Sequence, residues 1–85
     1  MQELDFHEVA DEFVNLANDM SNEWAPNFIS GAILYAAARY NAFHFMETNG
    51  NPEKEAAAVD YYTEQYRRML KENLHELRYG VSHDE

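Results

Sequence analysis

Residues Phe28 to Met46, FISGAILYAAARYNAFHFM, most constrain what this chain can fold into. These nineteen positions carry one formal charge, Arg39, and apolar or small side chains on nearly every face of a helix. A helix that is apolar all round is either a core element covered on several sides or a membrane span. The length just reaches what a bilayer crossing requires. Against crossing stands Arg39 in mid-segment, where a charge costs about 3 kcal/mol on insertion scales. Ser30, Asn41 and His44 add polar groups, and no basic residues flank the segment as cytoplasmic loops require. The expectation is a buried core helix. Gly31, Ala32, Ala36, Ala37, Ala38 and Ala42 let neighbouring helices approach closely, with Tyr35, Tyr40, Phe43 and Phe45 projecting into the gaps.

A chain of 85 residues makes one domain whose core is near the lower limit for stability without staples. There is no cysteine, so disulfides and thiolate metal sites are unavailable. The opening MQELDFHE is acidic where a secretory signal is basic, and it has no apolar run. A cytoplasmic location is expected.

The net charge is −10, unevenly spread. Residues 1–23 hold seven acids and no Lys or Arg, residues 24–51 one of each sign, and residues 52–79 six acids against five bases. Such a balance disfavours direct contact with phosphate backbones or anionic lipid.

Punctuation along the chain divides it into three helices. From about Asp5 to Asn22, Phe6, Val9, Ala10, Phe13, Leu16, Ala17 and Met20 recur at three and four and share one face. Asp5, Glu8, Glu12, Asp19 and Glu23 take the opposite face, as a solvated surface or as a binding stripe. Pro26 disfavours helical geometry at Ala25, and Asn27 is the expected N-cap of the central helix. Trp24, the single tryptophan, is expected to fold over the end of the core. Thr48-Asn49-Gly50 ends the central helix, Asn51 caps the next and Pro52 takes its first turn. So short a turn forces the two helices antiparallel. From Pro52 to about Tyr79, Ala56, Val59, Tyr62, Tyr66, Met69, Leu70, Leu74 and Leu77 form a core-facing stripe, and Gly80 stops the helix. Glu64 and Arg68 are spaced for a helical ion pair. The alternation of alanine and tyrosine is shared with tetratricopeptide helices, but no 34-residue period exists.

Catalytic chemistry finds little footing. Glu72 and His75 have the Glu-x-x-His spacing of di-iron bundles, yet both fall on the polar side of the third helix. The other pair, His44-x-x-Glu47, runs in the reverse order near a helix end. None of Ser21, Ser30 and Ser82 has a local setting for nucleophilic catalysis, and the glycines form no phosphate loop. Arg39 lies among Phe28, Ala32, Phe43 and Met46 on the helical wheel, where a charge calls for a partner, and Asp60 or Glu64 is expected to pair with it. The functional alternative is that Arg39, Asn41 and His44 mark a pocket for an anionic small molecule.

The segment LYAAARYNAF, with FVNLAND upstream and YYTEQYRRMLKENL downstream, resembles a family of small proteobacterial helical proteins of unknown function. The resemblance spans about residues 10 to 75, and its strongest motif is the central YAAARYNAF. It implies a soluble bacterial helical domain, and no activity, cofactor or catalytic residue comes with it.

The expected fold is all-α: a long antiparallel hairpin of about residues 27–47 and 52–79, with an amphipathic N-terminal helix of about 5–22 packed across it. Residues 1–85 form one domain, with 80–85 a frayed tail. Apolar residues round the whole central helix exceed what two neighbours cover, so a homodimer is expected. The expected function is a small acidic protein–protein interaction or regulatory domain, not an enzyme, without cofactor or metal and without direct nucleic-acid or membrane binding. One alternative is a small-molecule module with a pocket between the second and third helices, lined by Tyr35, Arg39, Tyr62 and Tyr66. Another is an acidic decoy of nucleic acid. The candidate partner or ligand contacts are Glu8, Glu12, Asp19, Tyr35, Arg39, Asn41 and His44.

Overall fold

A computed structural model describes residues 5–80. Its elements are three α-helices and one short 3-10 turn, with no strand among the described residues. The chain divides into two units, Met1–His44 and Phe45–Glu85. The first holds α1, Phe6–Met20, and most of α2, Pro26–Thr48; the second holds the last turn of α2, the 3-10 turn Pro52–Lys54, and α3, Glu55–Tyr79.

Helix α1 starts where its acids lead. Asp5 is the N-cap and forms a reciprocal capping box with Glu8, which satisfies amide groups that the first turn leaves without partners. At the far end the Ser21 N–H donates to the Ala17 carbonyl at 3.0 Å, and the Ser21 hydroxyl donates to the same oxygen at 3.1 Å.

Helix α2 begins one residue earlier than expected. Pro26 is its first residue, and the Ala25 carbonyl accepts from the N–H groups of Phe28 and Ile29, both at 3.0 Å. Asn27 therefore lies inside the first turn and is not the cap. Proline suits this position because its missing N–H is one that the first turn leaves unpaired anyway. Trp24 stacks on Phe28 with ring centroids 5.5 Å apart, folding the connection onto the start of α2.

In the second unit, the N–H groups of Asn49 and Gly50 both reach the Phe45 carbonyl at 2.8 Å. Gly50 takes φ 60°, a left-handed conformation that ends the helix. The Asn51 side chain accepts from the Glu53 N–H at 2.9 Å, as expected for a cap followed by proline. The first turn after Pro52 is 3-10, so the α-helix proper starts at Glu55. Gly80, with φ 89°, closes α3. The tail expected to fray after Gly80 lies outside the described residues.

Burial departs from expectation. Ile29, 7% exposed, is the one buried side chain among the described residues. Phe6, Val9, Phe13, Leu16 and Met20 of the α1 stripe are exposed, as are Val59, Tyr66, Met69, Leu70, Leu74 and Leu77 of the α3 stripe. Exposure reaches 70% at Phe6 and 85% at Leu77. Phe28, Tyr35, Tyr40, Phe43 and Met46 of α2, a helix whose composition suggests burial, are exposed as well. Periodicity marks which face is apolar; it does not specify what covers that face. No described helix is long and apolar enough to cross a membrane.

Candidate functional site

The described surface carries three groupings of polar and aromatic side chains, each set by helical spacing. On α1, Glu8, Glu12 and Asp19 stand at i, i+4 and i+11. At 100° per residue these positions fall within roughly 40° of one another, so the three carboxylates form a single stripe. All three residues are exposed. Glu8 has a second duty in the capping box, whereas Glu12 and Asp19 have no structural role of that kind.

On α2, Tyr35, Arg39 and Phe43 form a ladder at steps of four. An Arg39 guanidinium nitrogen donates to the Tyr35 hydroxyl at 3.5 Å, and the guanidinium carbon lies 5.4 Å from the Phe43 ring centroid. Within its own helix Arg39 thus has two neighbours, one at each step of four. The Glu64 carboxylate is held within α3, by Arg67 at 3.8 Å and Arg68 at 3.4 Å. Arg39 is exposed, so its charge is solvated as well as placed over the Phe43 ring face. Asn41 and His44 are not brought together with Arg39: the helical turn sets them roughly 140–160° round α2 from it. Asn41 is half-buried.

The third grouping escaped the sequence reading. Arg67, Lys71 and Arg78 on α3 also stand at i, i+4 and i+11 and share one stripe, with His75 at its edge. Lys71, Leu74, His75, Arg78 and Tyr79 line a shallow open depression there. The His75 and Tyr79 rings lie 4.9 Å apart, so the histidine of the Glu-x-x-His pair packs beside an aromatic ring. Among the described residues no three His, Asp or Glu side chains gather closely enough to hold a metal ion.

These stripes lie within one recognisable unit of sequence. The model of a family described as "Protein of unknown function (DUF3144)" matches residues 6–77, most of the chain. The chain belongs to the DUF3144 family. No curated protein and no solved structure matches it. The DUF3144 match begins at the first residue of α1 and ends two residues before the end of α3. It therefore takes in the whole acidic stripe, the Tyr35–Arg39–Phe43 ladder and the basic stripe as far as His75, with Arg78 one residue beyond.

Proposed function

We propose that this DUF3144 chain is a small acidic protein–protein interaction or regulatory domain that works as a homodimer in the cytoplasm. One observation carries the reading: taken by itself, neither unit has a core. The first buries Ile29 alone among its described residues, and the second buries none. Helices of 15, 23 and 25 residues draw most of their stability in a protein from packing of an apolar face. A Leu or Phe taken fully out of water contributes about 1.5–3 kcal/mol. Surfaces such as Phe6–Phe13, Phe28–Phe43 and Leu74–Leu77 are therefore the largest stabilisation open to the chain.

Within the proposal, α2 and α3 form the antiparallel hairpin that the Asn49–Asn51 turn favours, α1 lies across it, and a second copy covers the remaining flank of α2. A two-fold dimer is the common way for one chain to complete itself. The surplus of acid keeps such an assembly soluble and turns it towards basic partners rather than nucleic acid. The exposed ladder on α2 and the separation of Asn41 and His44 from it lend no support to an anion pocket around Arg39.

Sedimentation equilibrium over a wide protein concentration range tests the reading. A dimer mass supports it. A monomer mass at every concentration, with a cooperative unfolding transition, overturns it.

A further inference from the structure

The acidic stripe of α1 and the basic stripe of α3 have the same spacing. Glu8, Glu12 and Asp19 are separated by four and seven residues, and so are Arg67, Lys71 and Arg78. Along a helix each set spans about 16 Å. Laid parallel, all three carboxylates come level with all three cations. Laid antiparallel, the end pairs still meet but Glu12 comes level with Leu74. A slip of one turn leaves Asp19 without a cation. The spacing thus selects one direction and one register.

The sense of each stripe selects the same direction. Seen from its N-terminus, the apolar face of α1 lies roughly 100–120° to one side of its acids, and that of α3 lies a similar angle to the other side of its bases. Two parallel helices that turn their apolar faces to a shared core touch along flanks of opposite sense, as the e and g flanks do in a parallel coiled coil. Two antiparallel helices would need flanks of the same sense. Spacing and sense are separate properties of the sequence, and both call for parallel pairing.

We propose that the α1 acidic stripe docks in parallel on the α3 basic stripe of a second copy of this chain, Glu8 level with Arg67, Glu12 with Lys71 and Asp19 with Arg78. The inference rests on the dimer reading above and supplies its register. A two-fold dimer makes the pairing twice. Apolar burial drives association, and the charges choose register and partner, because single exposed ion pairs contribute little. One like-charged pair results: Asp5 comes level with Glu64, whose carboxylate Arg67 and Arg68 already hold. Lys71 and Arg78 have no ion pair with any described residue, so they are available for the contact.

The test uses two double variants of the full chain. Glu12→Lys with Asp19→Lys reverses the acidic stripe and spares Glu8, which caps α1. Lys71→Glu with Arg78→Glu reverses the basic stripe and spares Arg67, which holds Glu64. Each variant alone is expected to dimerise about tenfold more weakly than the unaltered chain, and an equimolar mixture to regain its affinity. Net charge predicts otherwise: the first variant moves from −10 to −6, so charge repulsion alone makes it associate more tightly. Where a variant is unfolded alone, recovery of far-ultraviolet helicity on mixing reads the same pairing. An unaltered chain that is monomeric at every concentration sinks the dimer reading and this pairing together. A dimer whose affinity neither variant changes sinks the pairing alone. Variants that weaken without rescue on mixing also overturn it, and place the stripes against something other than a second copy.

Discussion

Asp5 and Glu8 cap each other. The Asp5 carboxylate accepts from the N–H groups of His7 at 2.6 Å and Glu8 at 3.3 Å, while the Glu8 carboxylate accepts from the Asp5 N–H at 3.3 Å. Replacing an N-cap Asp by alanine typically costs about 1 kcal/mol. Asp5→Ala is expected to lower stability by that amount in urea unfolding and to reduce helicity. Glu8→Gln keeps an acceptor at the third position of the box and should cost much less. Equal losses in the two variants would show that charge at the helix start, not the reciprocal hydrogen bonds, is what matters.

Two glycines should respond to alanine with opposite signs. At Gly50, φ is 60° and an added Cβ would stand 2.9 Å from the Met46 carbonyl oxygen. Gly50→Ala is expected to destabilise by about 1–2 kcal/mol, and Gly50→Asn by less, since asparagine tolerates the left-handed region better. At Gly31, inside α2, nothing lies within 4 Å of the added Cβ. Gly31→Ala should stabilise by about 0.5–1 kcal/mol through helix propensity. Urea midpoints at fixed protein concentration read both. A loss at Gly31 would locate a close helix approach there in the assembled protein.

Local punctuation was legible and cover was not. Gly50, Asn51, Pro52 and Gly80 carry their structural meaning in their own backbone chemistry, so each could be placed from sequence. Asn27 reads as the cap of α2 because its residue type suits that position, and only the Ala25 carbonyl bonds show that the helix already starts at Pro26. Phe13 and Leu77 were legible as apolar-face residues but not as exposed ones, because periodicity holds no information about the neighbouring surface. The acidic stripe was easy to see, since residues 1–23 contain no opposing base. The basic stripe was hidden by Glu64, Glu72 and Glu76, which cancel its three charges in a count along the chain. Spacing at i, i+4 and i+11 would have found it.

Arg39 is expected to be replaceable. Its contacts are an exposed hydrogen bond to Tyr35 and the Phe43 ring face, and an exposed cation–π contact contributes about 0.5–1 kcal/mol. Arg39→Met should change unfolding free energy by less than about 1 kcal/mol. A loss of several kcal/mol is the signature of a buried ion pair broken from one side, and would return Arg39 to the core role suggested by its place on the helical wheel.

Helicity itself should depend on concentration. When the folded chain is completed by another copy, folding and association are one equilibrium, and stability cannot be separated from protomer concentration. Units that by themselves bury Ile29 and little else are in that position. Dilution from about 100 µM to about 1 µM should therefore lower the far-ultraviolet helical signal and the unfolding midpoint together. The loss should concentrate in α1, the shortest of the three helices at 15 residues and close to the length below which isolated helices are marginal. Hydrogen exchange at the two concentrations resolves this by segment, with α1 amides losing protection first. Unchanged helicity across the range, with uniform protection, would mean that one copy already covers its own apolar faces.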